Sequence, residues 1–238
     1  MGKEELWKRY SEVYRLVLPK ISFFRELHKE VIELCRPHNT ILDAGCGPGL
    51  YFEALLEQGK EVYGIDSSDD MIAISMNILA NSLKAKENKL SESYVKSCLR
   101  VGDIAKLPYL DNSFDAVINI NVLYAVENPL VALREMFRTT RPGGALIIAG
   151  PKPRAIFDGQ KLKTQMENDL KEYESDPLFR EKKEIVLKIN ERILSERIVT
   201  ECDLEKIMAM VIEAGYRVIQ YNRNDTYCGQ GWLLKAVK

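Results

Sequence analysis

The sequence lacks several features that would assign it to a specialised class of protein. No apolar run reaches the ~18 residues that a membrane helix needs, and the N-terminal stretch 1–7 has no apolar core typical of a secretion signal. The chain carries 34 basic and 35 acidic residues and a net charge of −1, so it has no excess of basic residues for binding nucleic acid. We therefore expect a cytoplasmic protein with no membrane span and no nucleic-acid partner.

Residues suited to metal or redox chemistry are also scarce. The five cysteines are scattered, odd in number and without metal-ligand spacing, which indicates reduced thiols and no metal site. The only histidines are His28, inside a predicted helix, and His38, just before the first predicted strand. We interpret both as surface residues, and this leaves the sequence without a convincing general base. The catalytic residue is therefore unknown at this point.

What the chain does contain is a regular alternation of strands and helices in residues 38–150. Sequential βαβ units produce a parallel sheet with helices on both faces. Ligands of such sheets bind outside the carboxyl ends of the strands, where the strand order switches. The predicted strands are Ile41–Ala44, Glu61–Asp66, Val101–Ile104, Ala116–Ile120 and Ala145–Ala149.

The two flanks of this core differ from it. Residues 1–37 show two helical apolar stripes interrupted by Pro19, and residues 151–200 show a pair of charged helices that we interpret as an insertion. Residues 201–238 return to one helix and two β-like runs. The sequence thus predicts a single domain over 1–238, with 1–37 as an N-terminal helical lid, 38–150 as the ligand-binding core, 151–200 as a helical insertion over the site and 201–238 as a C-terminal helix and strand pair.

A glycine loop follows the first predicted strand and leads into a helix over 51–58. Its sequence is Asp43-Ala-Gly-Cys-Gly-Pro-Gly49. Glycines let the backbone approach a ligand closely, and a helix start offers unpaired N–H groups. A dinucleotide fingerprint needs its third glycine one residue later, where Leu50 stands. The carboxylate of Asp43 suits an ammonium group better than a pyrophosphate.

More polar residues follow the later strands. Asp66 lies 21 residues after Gly45, near the offset at which an acid meets ribose hydroxyls. Ser67 and Ser68 offer a cap for the next helix, Asp103 ends the third strand, and Asn119 lies near the end of the fourth. Because these strand ends meet at one edge of a parallel sheet, we expect their side chains to line one crevice.

The loop Asp43–Gly49 resembles motif I of the class I S-adenosylmethionine (SAM)-dependent methyltransferases. The run from Leu107 to Asp115, LPYLDNSFD, and the Arg141–Gly144 turn also resemble segments of that family. The resemblance covers residues 38–150 well and points to the small-molecule branch, often called type 11 or ubiquinone/menaquinone-biosynthesis-like.

This resemblance implies a Rossmann-like, doubly wound α/β fold. The sheet would be mostly parallel and seven-stranded with its last strand antiparallel, and it would carry N-terminal helices and a helical insertion. SAM would be the cofactor and S-adenosylhomocysteine (SAH) the product. In the family, the acid after the third strand accepts from the adenine amino group and the next backbone N–H meets the ring. The implied cofactor-binding residues are Asp43, Gly45, Cys46, Gly47, Gly49, Asp66, Ser67, Met71, Asp103, Ile104, Asn119 and Tyr10.

The acceptor side is less clear. Family members often carry two histidines after the fourth strand, where this chain has Tyr124 and Ala125. Tyr124 and Tyr14 are candidate substrate residues, although each also suits a core role. We expect methyl transfer to a small-molecule acceptor by in-line displacement, in a monomer or a homodimer.

Two other functions remain open from the sequence. A SAM-binding regulatory or partner protein would bind SAM without transferring its methyl group. An NAD-dependent oxidoreductase would require a different glycine spacing and is disfavoured by Asp43.

Overall fold

The computed structural model describes residues 16–85, 95, 97–153, 156–173, 175–196, 203–222 and 226–238. Within these ranges lies a seven-stranded sheet with helices packed on both faces. Its strands are β1 (Thr40–Ala44), β2 (Glu61–Asp66), β3 (Leu99–Val101), β4 (Phe114–Ile120), β5 (Thr140–Pro151), β6 (Arg217–Asn222) and β7 (Gly231–Val237). The α-helices are α1 (Ser22–Cys35), α2 (Phe52–Glu57), α3 (Asp69–Ala85), α4 (Pro129–Thr139), α5 (Gly159–Leu170), α6 (Pro177–Glu196) and α7 (Leu204–Glu213).

The strand order is β3-β2-β1-β4-β5-β7-β6. All neighbours pair in parallel except β7, which runs antiparallel to both β5 and β6. The order reverses between β1 and β4, because the chain adds strands outward in one direction to β3 and then returns to the other side of β1. This topology confirms the predicted Rossmann-like fold, including the antiparallel last strand.

The central strands are buried on both faces, which explains their nearly continuous apolar sequences. One face of the sheet packs against α1, α2 and α3, and it includes Ile41, Ile118 and Ile147. The opposite face packs against α4 and α7, and it includes Leu42, Val117 and Leu146. Adjacent residues of each strand therefore enter opposite cores, as the pleat of a strand requires.

Two helices begin at residues whose side chains accept a hydrogen bond from the first turn. The Asn128 side chain accepts a 3.4 Å hydrogen bond from the Val131 N–H, and Pro129 occupies the first helical position of α4. Asp158 caps α5 in the same way, accepting from Lys161 N at 2.9 Å. Both helices therefore begin where a side chain in the sequence can cap them.

The third predicted strand is displaced. The sequence predicts a strand over Val101–Ile104, whereas β3 ends at Val101. The carboxylate of Asp103 accepts from Ala105 N at 2.8 Å, and the Asp103 carbonyl accepts from Lys106 N at 3.0 Å. These local bonds favour a turn over an extended strand, so Asp103 and Ile104 lie in the loop beyond the strand.

A third apolar cluster joins the N-terminal segment to the helical insertion. It contains Ile21 and Phe24 from the N-terminal segment together with Leu170 of α5 and Phe179 of α6. At its edge the backbone N–H and the hydroxyl of Ser22 both donate to Asp169 at 2.7 Å. The predicted pair of inserted helices is therefore present, and it forms one cap with α1 rather than a separate unit.

Arg138 on α4 fixes the loop that leads from β3 to β4. Its guanidinium donates to the Leu107 carbonyl at 2.9 Å and to the Tyr109 carbonyl at 2.7 Å. It also forms ion pairs with Glu135 and Asp111, both at 2.8 Å. Glu135 in turn accepts from Leu107 N at 2.9 Å. One half-buried arginine therefore satisfies several backbone groups of a loop that has no regular structure.

We expect Arg138→Ala to lower the free energy of unfolding by about 1–3 kcal/mol, because it leaves the carbonyls of Leu107 and Tyr109 without their donor. Arg134→Ala is the matched control, since Arg134 pairs with Glu213 at the surface, where both side chains are 57% exposed. The control should cost less than about 1 kcal/mol. Urea unfolding of the three proteins measures both values, and equal losses would contradict this role for Arg138.

Candidate functional site

The glycine loop connects β1 to α2 along the carboxyl edge of the sheet. Gly45 N and Cys46 N donate to the Ile65 carbonyl at 2.7 and 3.0 Å, which ties the loop to β2. A Cβ at Gly45 would lie 2.5 Å from a methyl of Val122, so a side chain does not fit there. A Cβ at Gly47, whose φ is +51°, would meet nothing within 4 Å. The loop is thus packed tightly on one side and has free space above Gly47.

Asp66, at the end of β2, holds this loop in place. One of its carboxylate oxygens accepts from Gly47 N at 2.8 Å and the other from Ser68 N at 3.0 Å. Burial raises the pKa of Asp66, and the bonds from the backbone N–H groups of Ser68, Gly47 and Ser67 only partly oppose that shift. Asp66 therefore stabilises the glycine loop, a role that the sequence analysis did not predict.

Asp43 is an acid with an unsatisfied oxygen. Its side chain is 2% exposed, and its Oδ2 is buried with no hydrogen-bond partner among the described residues. Burial, and secondarily the charge of Asp66, raises the pKa of Asp43 well above its ordinary value. A buried carboxylate is costly unless a cation or hydrogen-bond donors compensate it. The residue therefore fits a ligand that brings a positive charge or N–H donors.

Asn119 supplies a second unsatisfied acceptor, near the end of the neighbouring strand. It is fully buried near the end of β4, where its Nδ2 donates to the Ala44 carbonyl at 2.5 Å and its Oδ1 has no partner in the described parts of the chain. Asp43 pairs with Ile118 across β1 and β4, so the two side chains leave opposite faces of the sheet. Both nevertheless lie at the switch in strand order, which is where ligands of such sheets bind.

The other predicted cofactor residues lie around this edge. Met71 is buried in the first turn of α3 behind the Ser67-Ser68 cap, and Ile104 is buried after Asp103. Cys46 is buried below the loop, where burial and then the charges of Asp43 and Asp66 raise its thiol pKa. A thiol in this state is protonated and behaves as a small apolar side chain.

A polar pair that the sequence analysis missed lies beyond β4. Asn121, two residues after Asn119, has a φ of +60° and donates from its Nδ2 to the hydroxyl of Tyr227. Tyr227 lies in a short 3-10 turn, Thr226–Gly229, between β6 and β7, and its ring packs 5.4 Å from that of Phe23 on α1. The two partners are 106 residues apart, so no local pattern could have paired them.

Tyr124 lies on the turn Leu123–Ala125 that follows the same segment. Burial raises its pKa to about 12, and its charge when ionised would further raise the pKa of Tyr227. Of the other aromatic predictions, Tyr10 and Tyr14 lie outside the described residues.

The interpretation of the histidines as surface residues is wrong. His28 is half-buried, its Nε2 is 3.1 Å from the Leu50 carbonyl, and its ring stacks on Tyr51 at 4.9 Å. Burial lowers the pKa of His28, and it also lowers that of the half-buried His38. A contact between separate segments explains the burial of His28. Helix α1 packs over the start of α2, and this contact encloses a side chain that α1 by itself would leave exposed. His28 thus supports the end of the glycine loop.

A metal-ligand cluster and a membrane-spanning helix are both absent from the described ranges. No group of three or more His, Cys, Asp or Glu side chains there could hold a metal ion. No helix described in the structure is both long enough and apolar enough to cross a membrane. An open depression in the cap contains none of the predicted site residues; it is lined by Lys20, Arg25, Asn168, Asp169, Lys171 and Glu172.

Comparison with known proteins identifies a known family domain in the same core of the chain. A family profile described as a methyltransferase domain matches residues 42–148. A demethylmenaquinone methyltransferase of Beutenbergia cavernae is 31% identical over 196 residues, which cover 80% of this chain and 70% of that protein. A malonyl-[acyl-carrier protein] O-methyltransferase of Erwinia pyrifoliae is 34% identical over 128 residues, which cover 52% of this chain.

Coverage differs among these relatives. The chain spans 43% of the Erwinia protein and between 20% and 40% of three other curated relatives. Among solved structures, the magnesium protoporphyrin IX methyltransferase of Synechocystis PCC 6803, determined with bound SAH, superposes with a TM-score of 0.60 at 17% identity. That comparison covers 91% of this chain and 84% of the other, and it supports the fold.

We expect Asp43→Asn to stabilise the protein at pH 8, by on the order of 1 kcal/mol, because it removes a buried charge. Folding raises the pKa of Asp43 above its ordinary value of 3.8. The folded chain thus holds this proton more tightly than the unfolded chain, and wild-type stability falls as the pH rises through the raised pKa. The stability gain of the variant should therefore be larger at pH 8 than at pH 5.

Chemical denaturation at the two pH values measures this gain. Glu205→Gln, at an exposed position on α7, is the control and should show no such pH-dependent gain. If the stability gain of Asp43→Asn were the same at both pH values, the Asp43 carboxylate would not be destabilised by its burial.

Proposed function

The chain belongs to the class I SAM-dependent methyltransferases, and on that premise we propose that it methylates a small-molecule acceptor in the crevice at the carboxyl ends of β1 and β4. The observation that carries the proposal is the pair of unsatisfied acceptors, Asp43 Oδ2 and Asn119 Oδ1, at the switch in strand order. SAM carries an ammonium group and a sulfonium charge, which are chemically complementary to such a pair.

Several of the predicted contacts to the cofactor have support in the fold. Asp43 would accept from the ammonium group, which supplies the compensating charge that this acid lacks. The free space above Gly47 would let the ligand approach the loop backbone. Asp66 would bind the ribose while still accepting from the loop, since each carboxylate oxygen has more than one lone pair. The loop after β3 would place Asp103 and the Ile104 N–H at the adenine.

Ser67, Met71 and Cys46 would complete the walls of this cofactor site. Cys46 would contribute its backbone, because its thiol is buried in the core below the loop. We propose that Tyr10 closes over the donor from the N-terminal segment.

The chemistry requires alignment more than it requires a proton-transfer group. SAM supplies a methyl group that is already activated by the positive charge on sulfur. The protein's task is to hold the acceptor atom in line with that methyl group and to exclude water, and such positioning can supply ~7–11 kcal/mol at its upper end. No side chain is assigned as a general base, and His28 is engaged with the Leu50 carbonyl.

The acceptor would enter between the sheet edge and the cap. The cap helices α1, α5 and α6 share one apolar cluster, and Leu50 and Tyr227 pack against both that cluster and the sheet core. We therefore propose that 151–200 covers the acceptor and that Tyr124 and Tyr14 line its pocket. The near-neutral charge of the chain also favours a small molecule over a nucleic acid. The name of the Beutenbergia relative points to a small-molecule acceptor as well.

A non-catalytic SAM-binding role, which the sequence left open, gains no support from the comparisons. A nicotinamide-dependent oxidoreductase is inconsistent with membership of the methyltransferase family. Cofactor titration separates the nicotinamide-dependent function from the two SAM-dependent ones, and only methyl transfer to an acceptor separates those two from each other.

We expect micromolar binding of both SAM and SAH, and no binding of NADH, in calorimetric titrations of the purified protein. Asp43→Asn should weaken SAM binding about 10- to 100-fold, the scale of a lost hydrogen bond to a charged group. Glu205→Gln should leave the affinity unchanged. Because Asp43→Asn is also expected to stabilise the fold, a loss of affinity cannot be attributed to unfolding. Unchanged SAM affinity in the Asp43 variant would refute the proposed ammonium site.

A further inference from the structure

Ser75 is a fully buried hydroxyl on α3, behind the glycine loop. Its surroundings are apolar, since Ile72 and Leu79 on the same side of that helix belong to the core cluster. A buried hydroxyl is costly unless it is hydrogen-bonded. Serines inside helices can donate to a carbonyl one turn earlier, whereas this hydroxyl donates at 2.7 Å to the Gly47 carbonyl, 28 residues away in the chain. The bond therefore joins α3 to the loop.

The Gly47 backbone is held from two sides. Its N–H donates to Asp66 at 2.8 Å, and its carbonyl accepts from Ser75. Packing adds little restraint, because the φ of Gly47 is +51° and a Cβ there would meet nothing within 4 Å. Glycine is also the residue with the most conformational freedom to lose. The two hydrogen bonds, one from the end of β2 and one from α3, therefore supply the restraint that packing does not.

The loop has no backbone N–H group left for a ligand between 45 and 49. A phosphate-binding loop points such groups at its ligand. Here Pro48 has no N–H, and the other four all donate within the protein: Gly45 and Cys46 to the Ile65 carbonyl, Gly47 to Asp66 and Gly49 to the Cys46 carbonyl. What this stretch offers a ligand is therefore its shape, and that shape depends on the bonds that hold it.

The same hydroxyl lies next to other residues of the loop. A Cβ at Gly49 would be 3.0 Å from the Ser75 Oγ, so the loop passes close to α3 at this point. Burial raises the pKa of the Cys46 thiol, and a hydrogen bond with Ser75 partly opposes that rise. One side chain of α3 thus supports the loop along most of its length.

We propose that Ser75 is a positioning residue for the methyl donor, whose hydroxyl holds the Gly47 carbonyl and so keeps the glycine loop in the conformation that binds SAM. Because Gly47 N donates to Asp66, the same bond also helps to orient the carboxylate that would bind the ribose. This inference rests on the proposed function, since it assigns a residue behind the same crevice.

Two variants separate this role from ordinary stabilisation. Ser75→Ala removes the hydroxyl, and alanine favours the helix. Thr140→Val is the matched control, because Thr140 is also fully buried and donates at 2.7 Å to a backbone carbonyl, that of Met136, at the amino end of β5. In calorimetric titrations, the affinity for SAH should fall about 3- to 10-fold in Ser75→Ala, the scale of one neutral hydrogen bond. It should keep the wild-type value in Thr140→Val.

Alkylation of Cys46 reads the loop directly, without a ligand. Its rate with iodoacetamide is measured by peptide mass spectrometry in the SAH-free proteins. Cys46 is 6% exposed and should react only when the loop opens, whereas Cys35 and Cys98, in the same core cluster but outside the loop, report opening of the core. Relative to those two thiols, Cys46 should react about 3- to 10-fold faster in Ser75→Ala than in the wild type. Thr140→Val should leave the ratio unchanged.

The two readouts distinguish the possible failures. Absence of SAH binding by the wild-type protein would refute the proposed function and this inference with it. Wild-type binding of SAH together with an unchanged affinity in Ser75→Ala would overturn the inference alone. Equal losses of affinity in the two variants, or a rate at Cys46 that rises no more than the rates at Cys35 and Cys98, would also overturn it, because the effect would then be global.

Discussion

The parallel pairing of β1 with β4 is the constraint on which the site depends. It brings together the carboxyl ends of two strands that are about 75 residues apart, where Asn119 donates to the Ala44 carbonyl. Because the strand order reverses there, the helices that follow β1 and β4 pack on opposite faces of the sheet, and polar side chains can reach a ligand from both strands. The same pairing buries Asp43 beside a hydrophobic core, so the fold carries an uncompensated acid at the centre of its crevice.

That arrangement trades stability for binding. A carboxylate that is buried without a partner destabilises the ligand-free protein. It can nevertheless interact strongly with a bound cation, because little water screens it. Asp66 shows the opposite arrangement, since backbone N–H groups satisfy both of its oxygens and it stabilises the loop. Two acids at neighbouring strand ends thus have different properties, and the hydrogen bonds around each one determine which.

The strands and the edge where their polar residues meet could be predicted because their signals are local. Apolar runs ending in Asp43, Asp66 or Asn119 follow from short stretches of sequence and from the rule that parallel strands share an edge. The burial of His28 and the pairing of Asn121 with Tyr227 could not be predicted, because each depends on contacts between distant segments. The displaced end of β3 was missed for another reason, namely that Asp103 bonds to its own turn and so competes with the strand.

The position of β7 has a consequence for how the protein is made. This strand comes last in the chain, yet it lies inside the sheet, between β5 and β6. On a ribosome, the segments that form the glycine loop and its flanking strands emerge long before the turn that carries Tyr227. The part of the crevice that contains the glycine loop can therefore take shape early, whereas the turn that carries Tyr227 joins it only after β6 and β7 have been made.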